Sequence, residues 1–336
     1  MAGNGLNTDA LRNYLGQTLG LSGAPALEQI AGGQSNPTYF VTCGGARMVL
    51  RKQPEGELMK GAHAVDREYR VLTALADTGV PVPETLAYCE DRSVLGTPFY
   101  LMKRIEGRVF HDTSLPGLTP AERQAVYFSM AETMARLHAV RPEKVGLADF
   151  GRPGNYFERQ VARWGRQWRA SEGPDIPEID RLEAWLLENM PPDDGRVSIA
   201  HGDFRLGNLI FHPHEPRVVG VLDWELSTLG HPLADLGFCC MTWRSTPEEY
   251  GGIRGLDLKA LGIPSRERFV EEYYRHAPKA PPLLPFHEAF ALFRFAVIFV
   301  GIADRARQGI AVSKEAAALA PLARAFARRG LEVIEG

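Results

Sequence analysis

The chain has 336 residues, a length that suggests about two domains or lobes. It is 45% hydrophobic and 24% charged, and its formal net charge is −3. This average composition excludes a disordered chain, a collagen-like fibre and a small disulfide scaffold, and the charge provides no field that favours nucleic acid or an anionic membrane. We therefore expect a globular, soluble protein with no nucleic-acid and no membrane partner.

The N-terminus and the cysteines favour the cytoplasm. Residues 1–11 contain no basic region followed by an apolar region, so no signal peptide is predicted. The longest apolar run, residues 295–303, is too short to span a bilayer. The cysteines form no C-x-x-C pair, which favours free thiols over a zinc site; they are Cys43, Cys89, Cys239 and Cys240. We expect a cytoplasmic protein, and its oligomeric state stays unknown.

Residues 25–105 have the pattern of strands with one helix. Short runs rich in β-branched and aromatic residues occur at 27–30, 38–42, 48–50 and 99–103. Between them, apolar residues recur at helical spacing over 64–78, and Gly79 ends that helix. From about residue 118 the pattern becomes helical, with helices predicted after Pro120 and over 157–170 and 179–189. Two short strands, 209–211 and 218–222, interrupt this second part.

The most informative stretch runs from His201 to Asn208 and continues at Asp223. Phosphoryl transfer needs a carboxylate to orient or deprotonate the accepting hydroxyl, and oxygen ligands for magnesium. Asp203 and Asn208, five residues apart in one loop, place a base and a metal ligand together. Asp223 follows an apolar strand and supplies a second metal ligand. The composite motif is more specific than any one of its parts, since an Asp at a turn usually only caps a helix.

With these residues the chain resembles the aminoglycoside and choline phosphotransferases of the protein-kinase-like superfamily. The pattern H-x-D-x-x-x-x-N, followed by a strand-ending Asp, is matched at His201, Asp203, Asn208 and Asp223. The resemblance implies an α+β, protein-kinase-like fold of two lobes. A small β-rich nucleotide-binding lobe would cover 1–105, and a larger, mainly helical catalytic and substrate lobe would cover 106–336.

The resemblance also implies roles and cofactors for this loop. The enzyme would use ATP and Mg²⁺, with Asp203 as the catalytic base and with Asn208 and Asp223 holding magnesium. Arg205 occupies the place where many protein kinases have a Lys that touches the transferred phosphate. Asp235, in a later segment typical of the family, is expected to cap a helix or brace a loop rather than to catalyse.

The first lobe should supply the nucleotide contacts. The turn containing Gly32, Gly33 and Ser35 could bring backbone N–H groups to phosphate oxygens, although it departs from G-x-G-x-x-G. On the next strand, alternation places Arg51 with Val49 on the face toward the phosphates. Lys52 is the alternative residue for this phosphate contact. It points the other way, and without such a role it is expected to be a surface cation.

Two further elements complete the predicted nucleotide site. Glu68 on the following helix is the expected ion-pair partner of Arg51, as the resemblance implies. The segment that includes Lys103 and Ile105 fits the hinge, whose backbone would hydrogen-bond the adenine ring.

The acceptor is less clear from the sequence. The sequence motif from His201 to Asn208 looks closest to that of phosphotransferase domains related to those fused to some acyl-CoA dehydrogenases. That resemblance implies a small-molecule hydroxyl acceptor such as a hydroxyacyl-CoA or hydroxy acid. Residues 283–336 carry seven basic and five acidic residues, whereas a polycationic aminoglycoside needs many carboxylates. The arginines of 157–170 are either solvated or form an anion-binding wall.

Two alternatives remain open. An aminoglycoside or choline-type kinase would gather carboxylates near the acceptor pocket. A non-catalytic nucleotide-binding protein could keep the kinase-like fold, although the intact Asp203, Asn208 and Asp223 argue against it.

Overall fold

The structure is a computed structural model that describes residues 6–30, 36–56, 64–152, 154–277, 279–308 and 316–336. In chain order the strands are β1 (Ala26–Gln29), β2 (Thr38–Cys43), β3 (Ala46–Lys52), β4 (Thr85–Cys89), β5 (Phe99–Lys103), β6 (Ser198–Ala200), β7 (Leu209–Phe211), β8 (Val218–Val221) and β9 (Thr228–Gly230). The helices are α1 (Thr8–Leu19), α2 (Val65–Leu75), α3 (Arg92–Leu95), α4 (Pro120–Ala139), α5 (Tyr156–Arg169), α6 (Pro177–Glu188), α7 (Pro232–Cys240), α8 (Leu258–Leu261), α9 (Arg266–His276), α10 (Pro285–Arg307) and α11 (Ala320–Glu335).

The first compact unit is built on an antiparallel sheet with strand order β1-β2-β3-β5-β4. The unit comprises the described residues up to Arg108 together with Ile210–Pro213 and Val219–Leu226. Leu11 and Leu15 of α1 pack with Val41, Leu50 and Leu101 of the sheet in one apolar core. Burial of these side chains is the main stabilising term for the unit.

Strand alternation in β3 places its last two residues, Arg51 and Lys52, on opposite faces of the sheet. Arg51 lies on the sheet face that carries α2, where it contacts Glu68. Lys52 lies on the opposite face, where its Nζ donates to the Leu95 carbonyl at 3.0 Å and pairs with Glu55 at 3.1 Å. Its side chain is buried, so the expectation that Lys52 is a surface cation was wrong.

The second compact unit is mainly helical. It comprises Val109–Leu209, His214–Val218 and Ser227–Gly336, and it includes the two-stranded β6–β9 pair. Thr119 caps α4 by accepting from the Glu122 amide, while the Glu122 carboxylate accepts from the Thr119 amide. This capping box, with Pro120 in the first turn, starts the helix where the sequence predicts.

The central helix of the second unit is α10. By length and composition it is apolar enough to cross a membrane, but 83% of its most apolar 18-residue segment is buried within the protein, as in the core helix of a globular domain. The apolar stretch is therefore longer than the run 295–303 suggests. It tolerates Arg294, whose Nη2 donates to the Gly202 carbonyl at 2.8 Å.

The α+β class and the kinase-like arrangement of elements agree with the sequence prediction. The described residues also contain elements that the sequence pattern did not reveal, namely α1, α3, β4, β6 and β9. Strands such as β6 and β9 have only three residues each, too few for a period of two to be recognised. All four cysteines are buried and free. The proposed division at residue 105 stays a prediction.

His287, in the first turn of α10, gives the second unit a defined pH dependence. Its Nδ1 accepts from the Leu284 amide at 2.9 Å, and its ring stacks on His231 with the centroids 6.0 Å apart. Burial and, to a smaller extent, the neighbouring His231 together lower the pKa of His287 to about 4. Because the unfolded His has a pKa near 6.5, only the unfolded chain takes up this proton between about pH 6.5 and pH 4.

We therefore expect stability that is present above about pH 6.5 to be lost as the pH falls toward about 4. The free energy of unfolding of the wild type should decrease over this window by roughly 2–3 kcal/mol more than that of His287→Gln. Urea denaturation at a series of pH values measures this difference, with the exposed His214→Gln as control. Parallel pH profiles for the wild type and His287→Gln would contradict the assignment.

Candidate active site

Arg51 is the hub of the polar cluster in the first unit. Its Nε lies 2.8 Å from Glu68 Oε2, close enough for an ion pair but without the alignment of a hydrogen bond. Its Nη2 donates to Asp223 Oδ1 at 3.0 Å and lies 3.6 Å from Glu225 Oε2. Although burial disfavours the charged form, Glu68 and the other acids raise the pKa of Arg51 above its ordinary value. The guanidinium is therefore permanently charged.

Glu68 is held by more groups than Arg51 alone. Asn36 Nδ2 donates to its Oε1 at 2.7 Å, and the Tyr100 hydroxyl donates to its Oε2 at 3.1 Å. Burial raises the pKa of Glu68, and Arg51 opposes this by favouring the carboxylate. The Arg51–Glu68 pair predicted from the sequence is thus present, within a buried network that also fixes the side chain of Arg51.

Asp223 reaches this cluster through an unusual backbone. It follows β8 and has a φ of 65°, in the left-handed region that L-residues other than Asn and Asp adopt at a cost. The next residue, Trp224, is buried, and its Nε1 donates to the Val221 carbonyl at 2.9 Å. This bond anchors the turn and keeps the Asp223 carboxylate, which is about one-third exposed, beside Arg51.

The predicted hinge is only partly available to a ligand. The Lys103 amide donates to the Glu84 carbonyl at 2.8 Å, and the Arg104 amide donates to the Arg47 carbonyl at 3.2 Å. The Lys103 side chain pairs with Glu84. The Ile105 amide has no hydrogen-bond partner among the described residues, so it is the first N–H of the segment that an adenine ring could use. The predicted phosphate-loop residues Gly32, Gly33 and Ser35 lie outside the described residues.

In the second unit the structure brings Asp203, Arg205 and Asn208 together. Asn208 Nδ2 donates to Asp203 Oδ2 at 2.7 Å and to the Asp203 carbonyl at 2.9 Å. Arg205 Nε donates to the same Oδ2 at 3.2 Å. Asp203 Oδ1 accepts no hydrogen bond from a described residue, so it is the oxygen free to take a proton. Because Asn208 Nδ2 donates its N–H groups to Asp203, the side-chain atom of Asn208 that can ligate a cation is Oδ1.

Asp235 braces the loop that carries these three residues. Its Oδ2 accepts from the His201 amide at 2.7 Å, and its Oδ1 accepts from the Gly202 amide at 2.9 Å. Burial alone would raise the pKa of Asp235, but His138 and the amide hydrogen bonds lower it overall. Asp235 is therefore a buried carboxylate that fixes the backbone just before Asp203, in agreement with the bracing role expected from the sequence.

Other supports of the loop had no recognisable signal in the sequence. Arg294 holds the Gly202 carbonyl from α10, and the imidazole of His138 lies 3.3 Å from Asp235 Oδ2 and 2.9 Å from the Tyr273 hydroxyl. Asn36 and Tyr100 were likewise not predicted. Each of these residues is distant in sequence from the motif that it supports, and only the fold brings them together.

A cavity of about 80 Å³ adjoins the loop within the second unit. Arg205 and Gly207 of the loop line one end, and the rings of Phe238, Phe295 and Phe326 line the other. No Asp or Glu is found among the described residues that line it. The described lining of this cavity therefore lacks the carboxylates that a polycationic acceptor needs. It combines the guanidinium of Arg205 with apolar side chains.

Comparison with known proteins agrees with this geometry. Residues 26–277 match the model of a family described as "Phosphotransferase enzyme family". Over 318 residues the chain is 44% identical to acyl-CoA dehydrogenase family member 10 of Mus musculus, an alignment that covers 92% of this chain and 29% of that protein. The chain spans less than half the length of the curated relatives that it matches.

Solved structures show the same fold. A protein of Ralstonia eutropha, provisionally described as an aminoglycoside phosphotransferase, superposes with a TM-score of 0.90 at 44% identity, and the alignment covers 98% of both chains. An aminoglycoside phosphotransferase in ternary complex with AMP-PNP and hygromycin B gives a TM-score of 0.63 at 15% identity, and it covers 96% of this chain and 98% of the other. At that identity the second likeness concerns the fold alone.

The brace formed by Asp235 can be tested without knowing any substrate. In Asp235→Asn one carboxylate oxygen becomes an NH₂ group that faces a backbone N–H, so we expect a loss of about 1–3 kcal/mol in the free energy of unfolding. Hydrogen exchange at the His201 and Gly202 amides should become at least about tenfold faster. Asp257→Asn is the matched control, since that exposed Asp accepts from the Ala260 amide as a helix cap and Asn caps equally well. Unchanged exchange at both amides would contradict the bracing role.

Proposed function

The chain belongs to the phosphotransferase enzyme family, and from that premise we propose that it transfers the γ-phosphoryl group of ATP to a hydroxyl group of a small molecule. The observation that carries this proposal is the arrangement of Asp203. Its carboxylate is oriented by Asn208, one of its oxygens accepts no hydrogen bond from the described part of the chain, and its loop is tied to a buried carboxylate. Such a fixed carboxylate suits a general base.

In the proposed reaction, Asp203 accepts the hydroxyl proton of the acceptor as the acceptor oxygen bonds to the γ-phosphorus. The bond between that phosphorus and the β–γ bridging oxygen breaks, and ADP leaves. Arg205 donates to Asp203 through Nε, and a guanidinium in this place suits a phosphate oxygen as a further partner. Little covalent chemistry is asked of the protein, so positioning and charge carry the catalysis.

We assign nucleotide and magnesium binding to Arg51, Asp223 and Asn208. One guanidinium serves both Glu68 and Asp223, so these groups retain a net negative charge that a cation would offset. Carboxylate and amide oxygens are suitable Mg²⁺ ligands, and this ion typically uses one or two carboxylates with phosphate oxygens and water. When bound, the ion would neutralise charge on the phosphates, while Arg51 would hold a phosphate oxygen.

For the acceptor we propose a hydroxy acid or hydroxyacyl-CoA with an apolar chain. The support is the cavity beside the loop that carries Asp203. Its apolar end suits an acyl chain, and its Arg205 suits a neutral or anionic group. The absence of acids among its described lining residues disfavours the runner-up, an aminoglycoside or choline-type kinase. A cytoplasmic location remains part of this proposal.

The proposal is tested by ³¹P NMR of Mg-ATP with a panel of hydroxy acids, hydroxyacyl-CoA thioesters, amino alcohols and aminoglycosides. We expect a new phosphate-ester signal, coupled to ADP formation, with members of the first two classes. Turnover confined to amino alcohols and aminoglycosides would establish the runner-up. Nucleotide binding without transfer to any acceptor would favour a non-catalytic protein.

Replacement of Asp203 tests the role of the base. Asp203→Asn keeps the size of the side chain and loses its basicity, so we expect kcat to fall by about 10²–10⁴-fold while ATP still binds. The measurement is the rate of ADP release with the acceptor found above, together with calorimetric titration of ATP. The control is Asp9→Asn on the surface of α1. Asp203 would not be the base if Asp203→Asn turned over at the wild-type rate.

A further inference from the structure

Tyr250 has a backbone conformation that a large residue rarely adopts. Its φ is 64°, and it is one of four residues other than glycine with a positive φ in the described part of the chain. For a bulky side chain this region is strained, because Cβ approaches the following carbonyl. Such outliers persist where the surrounding structure enforces them, and they cluster at functional sites.

The surrounding loop holds Tyr250 in place from several sides. The preceding Glu249 accepts two hydrogen bonds from Arg329 of α11, at 2.9 and 2.8 Å. The Glu249 amide donates to the Thr246 carbonyl at 2.9 Å, and the Thr113 hydroxyl donates to the Gly251 carbonyl. The backbone on either side of the strained residue is thus held, by an ion pair at Glu249 and by a hydrogen bond at Gly251.

That ring lies at the cavity beside the Asp203 loop. Tyr250 lines the cavity, and its ring makes edge contacts with Phe295 at 5.8 Å and Phe299 at 5.3 Å between centroids. Half of the side chain is nevertheless exposed, which is unusual for a large ring placed at a conformational cost. Packing alone therefore gives little reason for a tyrosine at this position, because a glycine would adopt the same backbone conformation without strain.

We propose that Tyr250 is a specificity-determining residue that closes the apolar end of the acceptor cavity and sets the chain length of the acceptor. This inference rests on the proposed phosphotransferase function. The ring extends the wall formed by Phe295 and Phe326, so an acceptor chain that reaches this end contacts it. A chain of the right length gains apolar contact with the ring, and a longer chain collides with it. The hydroxyl group of Tyr250 is not needed for either effect.

The test compares Tyr250→Phe, Tyr250→Ala and Tyr250→Gly on linear hydroxyacyl-CoA thioesters of increasing chain length, or on the matching free hydroxy acids if those are the acceptors. Phe keeps the ring and should keep the wild-type preference. Ala and Gly both remove the ring, so KM for the preferred acceptor should rise about tenfold. The kcat/KM ratio of long to short acceptors should rise by at least about tenfold in both variants.

Thermal unfolding separates the ring from the backbone. Gly relieves the left-handed conformation and Ala does not, so Tyr250→Gly should melt about 2 °C or more above Tyr250→Ala. If the ring were merely structural, activity would follow stability, and both variants would lose activity toward all acceptors alike while they kept the wild-type chain-length preference. The control Leu187→Ala removes an exposed side chain from α6 and should change neither property.

Wild-type chain-length preference in both Tyr250→Ala and Tyr250→Gly would overturn the inference, as would melting of the Ala variant at or above the Gly variant. Failure of the wild type to phosphorylate any acceptor in the panel would instead refute the proposed function. The two failures are therefore distinguishable.

Discussion

The first unit depends on one largely buried guanidinium, that of Arg51, which is shared among carboxylates. Arg51 is drawn toward Glu68 on α2 and toward Asp223 after β8, and so it ties the sheet, the helix and the β8 turn to one point. A buried charge that lost these partners would cost several kcal/mol. Arg51, Glu68 and Asp223 must therefore come together as one cluster when the unit folds. Asn36 and Tyr100 complete the arrangement by occupying both oxygens of Glu68.

The second unit also contains a buried carboxylate, but its hydrogen-bond donors include backbone N–H groups. Asp235 accepts hydrogen bonds from the amides of His201 and Gly202, and Arg294 donates to the Gly202 carbonyl. Gly202, the residue before Asp203, is therefore held at both its N–H and its carbonyl group. With its loop rigid, Asp203 needs only Asn208 to orient its carboxylate. Such placement suits the general base that we propose Asp203 to be, because a positioned group lowers the cost of reaching the reactive geometry.

Sequence reasoning recovered the local parts of this design. The family, the kinase-like fold and the Arg51–Glu68 pair followed from short motifs whose spacing is set by a strand or a loop. The alternation of β3 correctly put Arg51 and Lys52 on opposite faces, yet it could not reveal that Lys52 is buried against the Leu95 carbonyl. Contacts such as Arg294 to Gly202 join residues about ninety positions apart, and no local pattern encodes them. The left-handed backbone of Tyr250 was equally invisible, because it is imposed by the loop around it.

The central proposal is that the carboxylates around Arg51 and Asp223 receive a magnesium nucleotide. Calorimetric titration of ATP, with and without Mg²⁺, into the wild type and Asp223→Asn tests this claim most directly. We expect Mg²⁺ to tighten ATP binding to the wild type by at least about tenfold, the equivalent of about 1.4 kcal/mol, and to have little effect on the variant. An equal effect of Mg²⁺ on both proteins would contradict the account.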